Sequence, residues 1–313
     1  MLAALAPLPA AVDTSPPASP DRVALGKMLY FEPRLSKNQD ISCNTCHRLD
    51  AFGVDGEPTS GGHRKQRGSR NSPTVLNAAL HFRQFWDGRA ADVEEQAMGP
   101  IQNPVEMASD QARVVATLSS MPEYADAFRR AFPDDKRPIT LKNVGVAIGA
   151  FERKLLTPSR LDAFLAGNDA ALTADEKAGA AVFAQTGCPT CHLGPAVGGA
   201  MYQKAGLVKP WPNQKDPGRF EVTHQEADRM LFKVPSLRNI EKTGPYFHDG
   251  STASLDDAVR TMARHQLGKE LTGDEVKGIV VFLKALTAPP PAELVTPPEL
   301  PRSTATTPKP DPG

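Results

Sequence analysis

The stretch Ser42–Leu49, SCNTCHRL, sets two cysteines three positions apart and closes them with a histidine. A near copy, GCPTCH, spans Gly187–His192. The two frames hold all 4 cysteines of the chain: Cys43, Cys46, Cys188 and Cys191. Three chemistries use cysteines spaced this way. A redox dithiol needs C-x-x-C but has no task for the adjacent histidine. A zinc site takes four thiolates, which these cysteines would supply. Covalent c-type haem uses the whole frame: the thiols bond the haem vinyls, and the following histidine, His47 or His192, ligates iron. Of the three, haem alone gives the closing histidine a task in both frames. Two covalent c-type haems are therefore expected, with no need for zinc.

The chain has 313 residues, enough for two domains of ordinary size. Lys plus Arg and Asp plus Glu stand at 36 each, for a net charge of +0. That balance argues against nucleic acid or an anionic membrane surface as a partner. No apolar run approaches the ~18 residues of a membrane span. The opening MLAALAPLPAAV is apolar but short and lacks a basic start. Residues 1–18 thus read as a flexible leader or the remnant of a secretion signal. Attachment of c-type haem implies a compartment outside the cytoplasmic membrane, in bacteria the periplasm.

Between its ends the chain reads as mainly α, two cytochrome c-like haem domains with long loops and little sheet, because few stretches alternate with period two. Ser19-Pro20 starts a helix, with proline at the first position. Thr173 with Glu176, and Thr272 with Glu275, form capping boxes. An internal repeat is visible. Gly26, Leu29 and Tyr30 precede the first haem frame as Gly179, Val182 and Phe183 precede the second. Each frame is followed much later by an apolar helix, near 141–156 and 276–286. Helix, haem frame, wrapping loop and closing helix is the plan of a cytochrome c domain, and it occurs twice: residues 19–160, then 161–288. Residues 289–313, rich in proline, read as a disordered tail.

An electron carrier fills both axial positions of its iron, whereas an enzyme keeps one open or displaceable. Opposite His192 the candidate is Met262, on a helix face with Leu255, Ala258 and Val259; a thioether there raises the reduction potential. For the first haem, His63 lies in SGGHRKQRGSRNSPTVLN, where flanking glycines and basic residues suggest a mobile loop and a displaceable ligand.

The segments GGHRKQRGSRNSPTVLNAALHFRQFWDGRAADVEEQAMGPIQNPVEM (Gly61–Met107) and FKVPSLRNIEKTGPYFHDGSTASLDDAVRTM (Phe232–Met262) resemble the bacterial dihaem cytochrome c peroxidases. With both haem frames in register, the resemblance covers about residues 20–288. It implies two α-helical haem domains meeting at an interface that holds calcium. Haem one, on Cys43, Cys46 and His47, is then the low-potential peroxidatic centre. His63 matches its resting ligand, Glu106 the acid–base carboxylate, and Gln96 a neighbour in the distal pocket. Trp86 matches the tryptophan between the haems. Haem two, on Cys188, Cys191 and His192, is the high-potential entry centre, with Met262 as sixth ligand. Asn71 and the carbonyls of Thr243 and Pro245 match the calcium site. The implied substrate is hydrogen peroxide, the electron donor a monohaem cytochrome c or a cupredoxin, and the assembly a homodimer.

The residue chemistry agrees. Peroxide cleavage needs a group that takes a proton from one oxygen and returns it to the other. A carboxylate sheltered between Pro104 and Met107 suits that task. Trp211, in KPWPN, reads as a loop residue; His81, His224, His248 and His265 read as structural or solvated. Two rivals remain. An oxidase relative of the methylamine-utilisation type has a tyrosine where Met262 stands. A non-enzymatic dihaem electron carrier leaves Glu106 without a task.

Overall fold

The computed structural model describes residues 2–12, 14 and 17–313. Helices dominate. The only sheet among the described residues pairs Tyr202–Lys204 with Leu231–Lys233, antiparallel, with Tyr202 opposite Lys233.

Each half of the chain is built on one close helix pair. The Pro20–Tyr30 helix starts at Ser19, whose side chain accepts from the Arg22 N–H, and carries proline in its first turn. It crosses the Leu141–Glu152 helix where Gly26 meets Ala147: a Cβ on Gly26 would lie 1.8 Å from the Ala147 carbonyl oxygen. In the second half the Ala174–Thr186 helix opens on the Thr173–Glu176 capping box and crosses the Gly273–Lys284 helix, which opens on the Thr272–Glu275 box. There a Cβ on Gly179 would lie 2.0 Å from the Gly278 carbonyl oxygen. One turn beyond each glycine an aromatic ring closes the crossing, Tyr30 on Phe151 at 5.4 Å and Phe183 on Phe282 at 5.2 Å. Around these pairs lie two separate apolar cores. Each fully buried Leu, Ile or Phe in them contributes roughly 1.5–3 kcal/mol.

The repeat extends into the loops. Pro73 and Asn77 recur as Pro235 and Asn239, and both asparagines are left-handed, with φ of 62° and 60°. Asn77 N–H bonds the Leu155 carbonyl, and Asn239 N–H the Leu286 carbonyl, so each loop is stitched to its closing helix. Thr157, between the halves, receives both amides on its hydroxyl: Asn77 Nδ2 at 2.8 Å and Asn239 Nδ2 at 2.9 Å. Further on, Phe85-Trp86-Asp87-Gly88 recurs as Phe247-His248-Asp249-Gly250, with bridges Gln84–Ala90 and Tyr246–Thr252. Trp86 and His248 are thus counterparts, and their rings meet edge-on at 6.3 Å.

The leader reading of residues 1–18 falls partly on 1, 13, 15 and 16, outside the described residues; within it, Leu2 and Leu5 are buried in the second core, Leu5 bridges Gly194, and Leu8 N–H bonds Asp162. The proline-rich end also makes contacts with the chain. Leu294 and Val295 lie on the first core, Arg34 bonds the Pro301 carbonyl, Gln39 the Pro308 carbonyl, and Thr307 is buried against Ser120. Proline supplies an extended backbone with few donors, and basic and polar side chains of the first unit satisfy its carbonyls. Each end therefore binds the opposite half of the chain.

Candidate active site

Two cavities hold the two cysteine–histidine frames. Cys43, Cys46 and His47 line the smaller, about 70 Å³, together with Gln96, Glu106, Glu152 and Ser60. Cys188, Cys191, His192 and Met262 line the larger, about 220 Å³. Trp86, Asn71, Thr243 and Pro245 line that second cavity too. Glu106 and Gln96 thus share a cavity with the first frame and Met262 with the second, while His63 lines neither.

The donor sets fit covalent haem. All four cysteines are free thiols. Burial raises Cys46 to about 11 and Cys188 to about 12, values unsuited to a redox dithiol, which needs a thiolate. The two frames line different cavities, which excludes a shared four-thiolate zinc site. His47 and His192 each have a buried Nδ1 with no hydrogen-bond partner. Burial holds both imidazoles neutral, His192 down at about 4, so each offers a lone pair to iron. The nearby backbone of Pro73 and Pro235, again repeat counterparts, partly opposes that shift.

Around the first centre, Glu106 ends the loop after the Val93–Gln102 helix. Asn103 Nδ2 donates to its Oε1 at 2.7 Å, and burial raises its pKa while Arg89 and Asn103 oppose the rise. Gln96, one face of that helix, shares the cavity. His63 is buried within an otherwise exposed loop, and its backbone N–H donates to the Glu106 carbonyl at 2.7 Å. The imidazole is not part of the cavity wall, but Gly61 and Gly62 are. A Cβ on Gly62 would lie 2.0 Å from the Val105 carbonyl oxygen, so glycine is needed for this loop to rest on the Glu106 segment.

Around the second centre, Met262 lies on the Leu255–Leu267 helix and packs on Trp211, Met230 and Phe232 beside Trp86. Trp211 is 4% exposed, so it belongs to this wall and not to a loose loop. Trp86 Nε1 donates to the Asn71 carbonyl at 2.9 Å, and Asn71 N–H to the His248 carbonyl at 2.7 Å. Sequence reasoning missed four residues. Lys233 and His248 are buried along the second cavity beside a half-buried His81, and Glu152 is buried at the first, where burial pushes it up to about 8. Only His248 carried a signal, its place in FHDG. No group of three or more His, Cys, Asp or Glu among the described residues is set to hold a free metal ion.

Known proteins agree with this geometry. The family model of di-haem cytochrome c peroxidase matches residues 20–170. Cytochrome c551 peroxidase of Nitrosomonas europaea is 51% identical over 278 residues, 88% of this chain and 82% of that protein. Cytochrome c551 peroxidase of Pseudomonas aeruginosa is 49% identical over 300 residues, 94% of this chain and 86% of that protein. Among solved structures, a MauG-like protein associated with microbial copper homeostasis superposes with a TM-score of 0.79 at 27% identity, covering 93% of this chain and 95% of the other. Two cavities that each hold one cysteine–histidine frame, and likeness along nearly the whole chain, establish that it belongs to the di-haem cytochrome c peroxidase family and carries two c-type haems.

Proposed function

We propose that the chain reduces hydrogen peroxide to water at the Glu106 cavity with electrons that enter at the Met262 cavity. The observation that carries this reading is the asymmetry of the two centres. One has a sheltered carboxylate and an amide facing the haem frame, the other a thioether on an apolar wall. Cys43, Cys46 and His47 hold haem one, and Cys188, Cys191, His192 and Met262 hold haem two. The bound haems supply the iron and the redox equivalents. Glu106 takes the proton from one peroxide oxygen and delivers it to the other; its raised pKa brings the carboxyl nearer the pH at which both steps are feasible. Asn103 fixes the carboxylate through Oε1, and Gln96 orients the substrate. Trp86, hydrogen-bonded to Asn71, supports the passage between the centres. His63 is the displaceable ligand of haem one, and movement of its loop passes directly to Glu106 through their shared hydrogen bond.

The calcium site combines the Asn71 side-chain oxygen with carbonyls of Thr243 and Pro245. Asn71 Nδ2 is committed to the Glu57 carbonyl at 3.0 Å, which turns the oxygen free for a hard cation. Waters complete its coordination. The donor is a monohaem cytochrome c or a cupredoxin, the assembly a homodimer and the location the periplasm, the compartment in which c-type haem is attached. No helix of the described residues is long and apolar enough to cross a membrane. Met262 separates this reading from the methylamine-utilisation oxidases, which resemble the chain but need a tyrosine there. Glu106 separates it from a plain carrier. Steady-state assays with hydrogen peroxide and a reduced small cytochrome test it. Glu106→Gln should keep both haems and lose about two to four orders of magnitude in turnover. Near wild-type turnover in that variant would remove Glu106 from the reaction.

A further inference from the structure

The second cavity contains a buried cation that meets no carboxylate. Lys233, at the end of its strand, is 5% exposed, and its ammonium lies 3.0 Å from His81 Nδ1. Burial lowers the lysine to about 8, and no acidic neighbour offsets it. An ammonium can only donate, so the imidazole nitrogen facing it is the acceptor and the ring proton sits on Nε2. Burial and then the lysine hold this ring neutral. His81 Nε2 is itself buried and has no partner. The Nε2–H and the ammonium's remaining N–H groups, one set from each half of the chain, thus line one cavity with no carboxylate to receive them.

The backbone is shaped for this pair. Gly199 has φ +73°, and a Cβ there would lie 2.2 Å from His81 Cδ2, so only glycine admits the ring. Phe82 N–H bonds the Gly199 carbonyl at 2.9 Å on one side. Lys233 N–H bonds the Trp86 carbonyl at 2.7 Å on the other. A buried cation and a buried N–H held this way call for an anion with two oxygens.

We propose that Lys233 and His81 Nε2–H together seat a propionate carboxylate of haem two, and that the lysine charge strengthens the hold of that haem on its electron. The proposal rests on the reading of Cys188, Cys191 and His192 as the haem-two site. Reduction removes one positive charge at iron, so a fixed cation nearby favours the reduced form, and burial limits screening by salt. The seat spans both halves, and its lysine is bonded to the backbone of Trp86. It therefore ties the electron store to the passage between the centres.

Anaerobic optical redox titration of the haem-loaded protein tests this. Lys233→Met should lower the upper step by about tenfold in the reduction equilibrium, 59 mV for one electron. The lower step and the thioether-to-iron absorption should stay unmoved. Lys233→Arg should keep the upper step near its wild-type place. If Lys233→Met fails to fold or load haem, His81→Phe keeps a ring without the N–H and should lower the upper step by a smaller amount. An upper step unmoved in a haem-loaded Lys233→Met or His81→Phe protein overturns the proposal. So does a wild-type upper step that shifts with added acetate, since the seat would then be open to free carboxylates. Absence of the thioether absorption in the wild type would instead sink the Met262 reading, which keeps the two failures distinct.

Discussion

On the proposed reading, His63 and Met262 are the residues whose side chains separate an enzyme from a carrier. His63 is buried, and its backbone N–H donates to the Glu106 carbonyl, so the two residues belong to one hydrogen-bonded segment. In His63→Gly, ferric haem one is expected to be high-spin as isolated, with no need for prior reduction. An unchanged low-spin spectrum would show that His63 is not its ligand. Met262 is half-buried against Trp211, Met230 and Phe232, an apolar wall. Met262→His should leave the iron six-coordinate but move the upper step of a redox titration down, because imidazole favours ferric iron more than a thioether does. A wild type that titrates as two haems of similar low potential would make Met262 plain packing.

Helix crossings carry the architecture, and each depends on one missing side chain. At Gly179 the neighbouring backbone oxygen stands where a Cβ would need to be, whereas at Gly273, in the first turn of the partner helix, nothing lies within 4 Å. Gly179→Ala should therefore destabilise the haem-loaded protein by about 1–3 kcal/mol in chemical denaturation, through forced separation of the helices. Gly273→Ala should be neutral or stabilising by up to about 1 kcal/mol, since alanine is the better helix former. Equal effects of the two substitutions would mean that the close crossing is not what holds the second core. The spacing of Gly26 and Gly179 ahead of the haem frames was legible in the sequence. That their partners are Ala147 and Gly278 was not, because contact across a crossing depends on the angle at which two distant helices meet.

At the scale of the whole molecule the two ends cross over. Leu2 and Leu5 are buried in the core of the second half, and the proline-rich end straps the first. That strap reaches the ligand loop: Arg64, next to His63, bonds the Pro312 carbonyl, and Lys37 pairs with Asp311 and bonds Gly313. Lys37 N–H in turn bonds the Met107 carbonyl, one residue from Glu106. A chain ending at Ala288 should keep both haems. Its amides in residues 61–68 should exchange faster with solvent, as should those near Lys37, while the second half stays unchanged. Unaltered exchange in residues 61–68 would show that the strap does not restrain the loop.

What the sequence alone determined follows from covalent and short-range chemistry. The two C-x-x-C-H frames, the capping boxes at Thr173 and Thr272 and the glycine ahead of each frame are local signals, readable because each act is completed within a few residues. The split of Glu106 and Met262 between two centres came from resemblance to known chains; in the structure they line different cavities. Only the tertiary structure decided the rest. His81 and Lys233 lie far apart along the chain, and neither sits in a motif. Nothing local distinguishes a lysine that ends buried beside an imidazole from one that ends in water. Composition alone likewise reads a proline-rich end as disordered, because it contains no packed core of its own. The core that Leu294 and Val295 cover belongs to residues more than a hundred positions earlier, and its order comes from that borrowed surface.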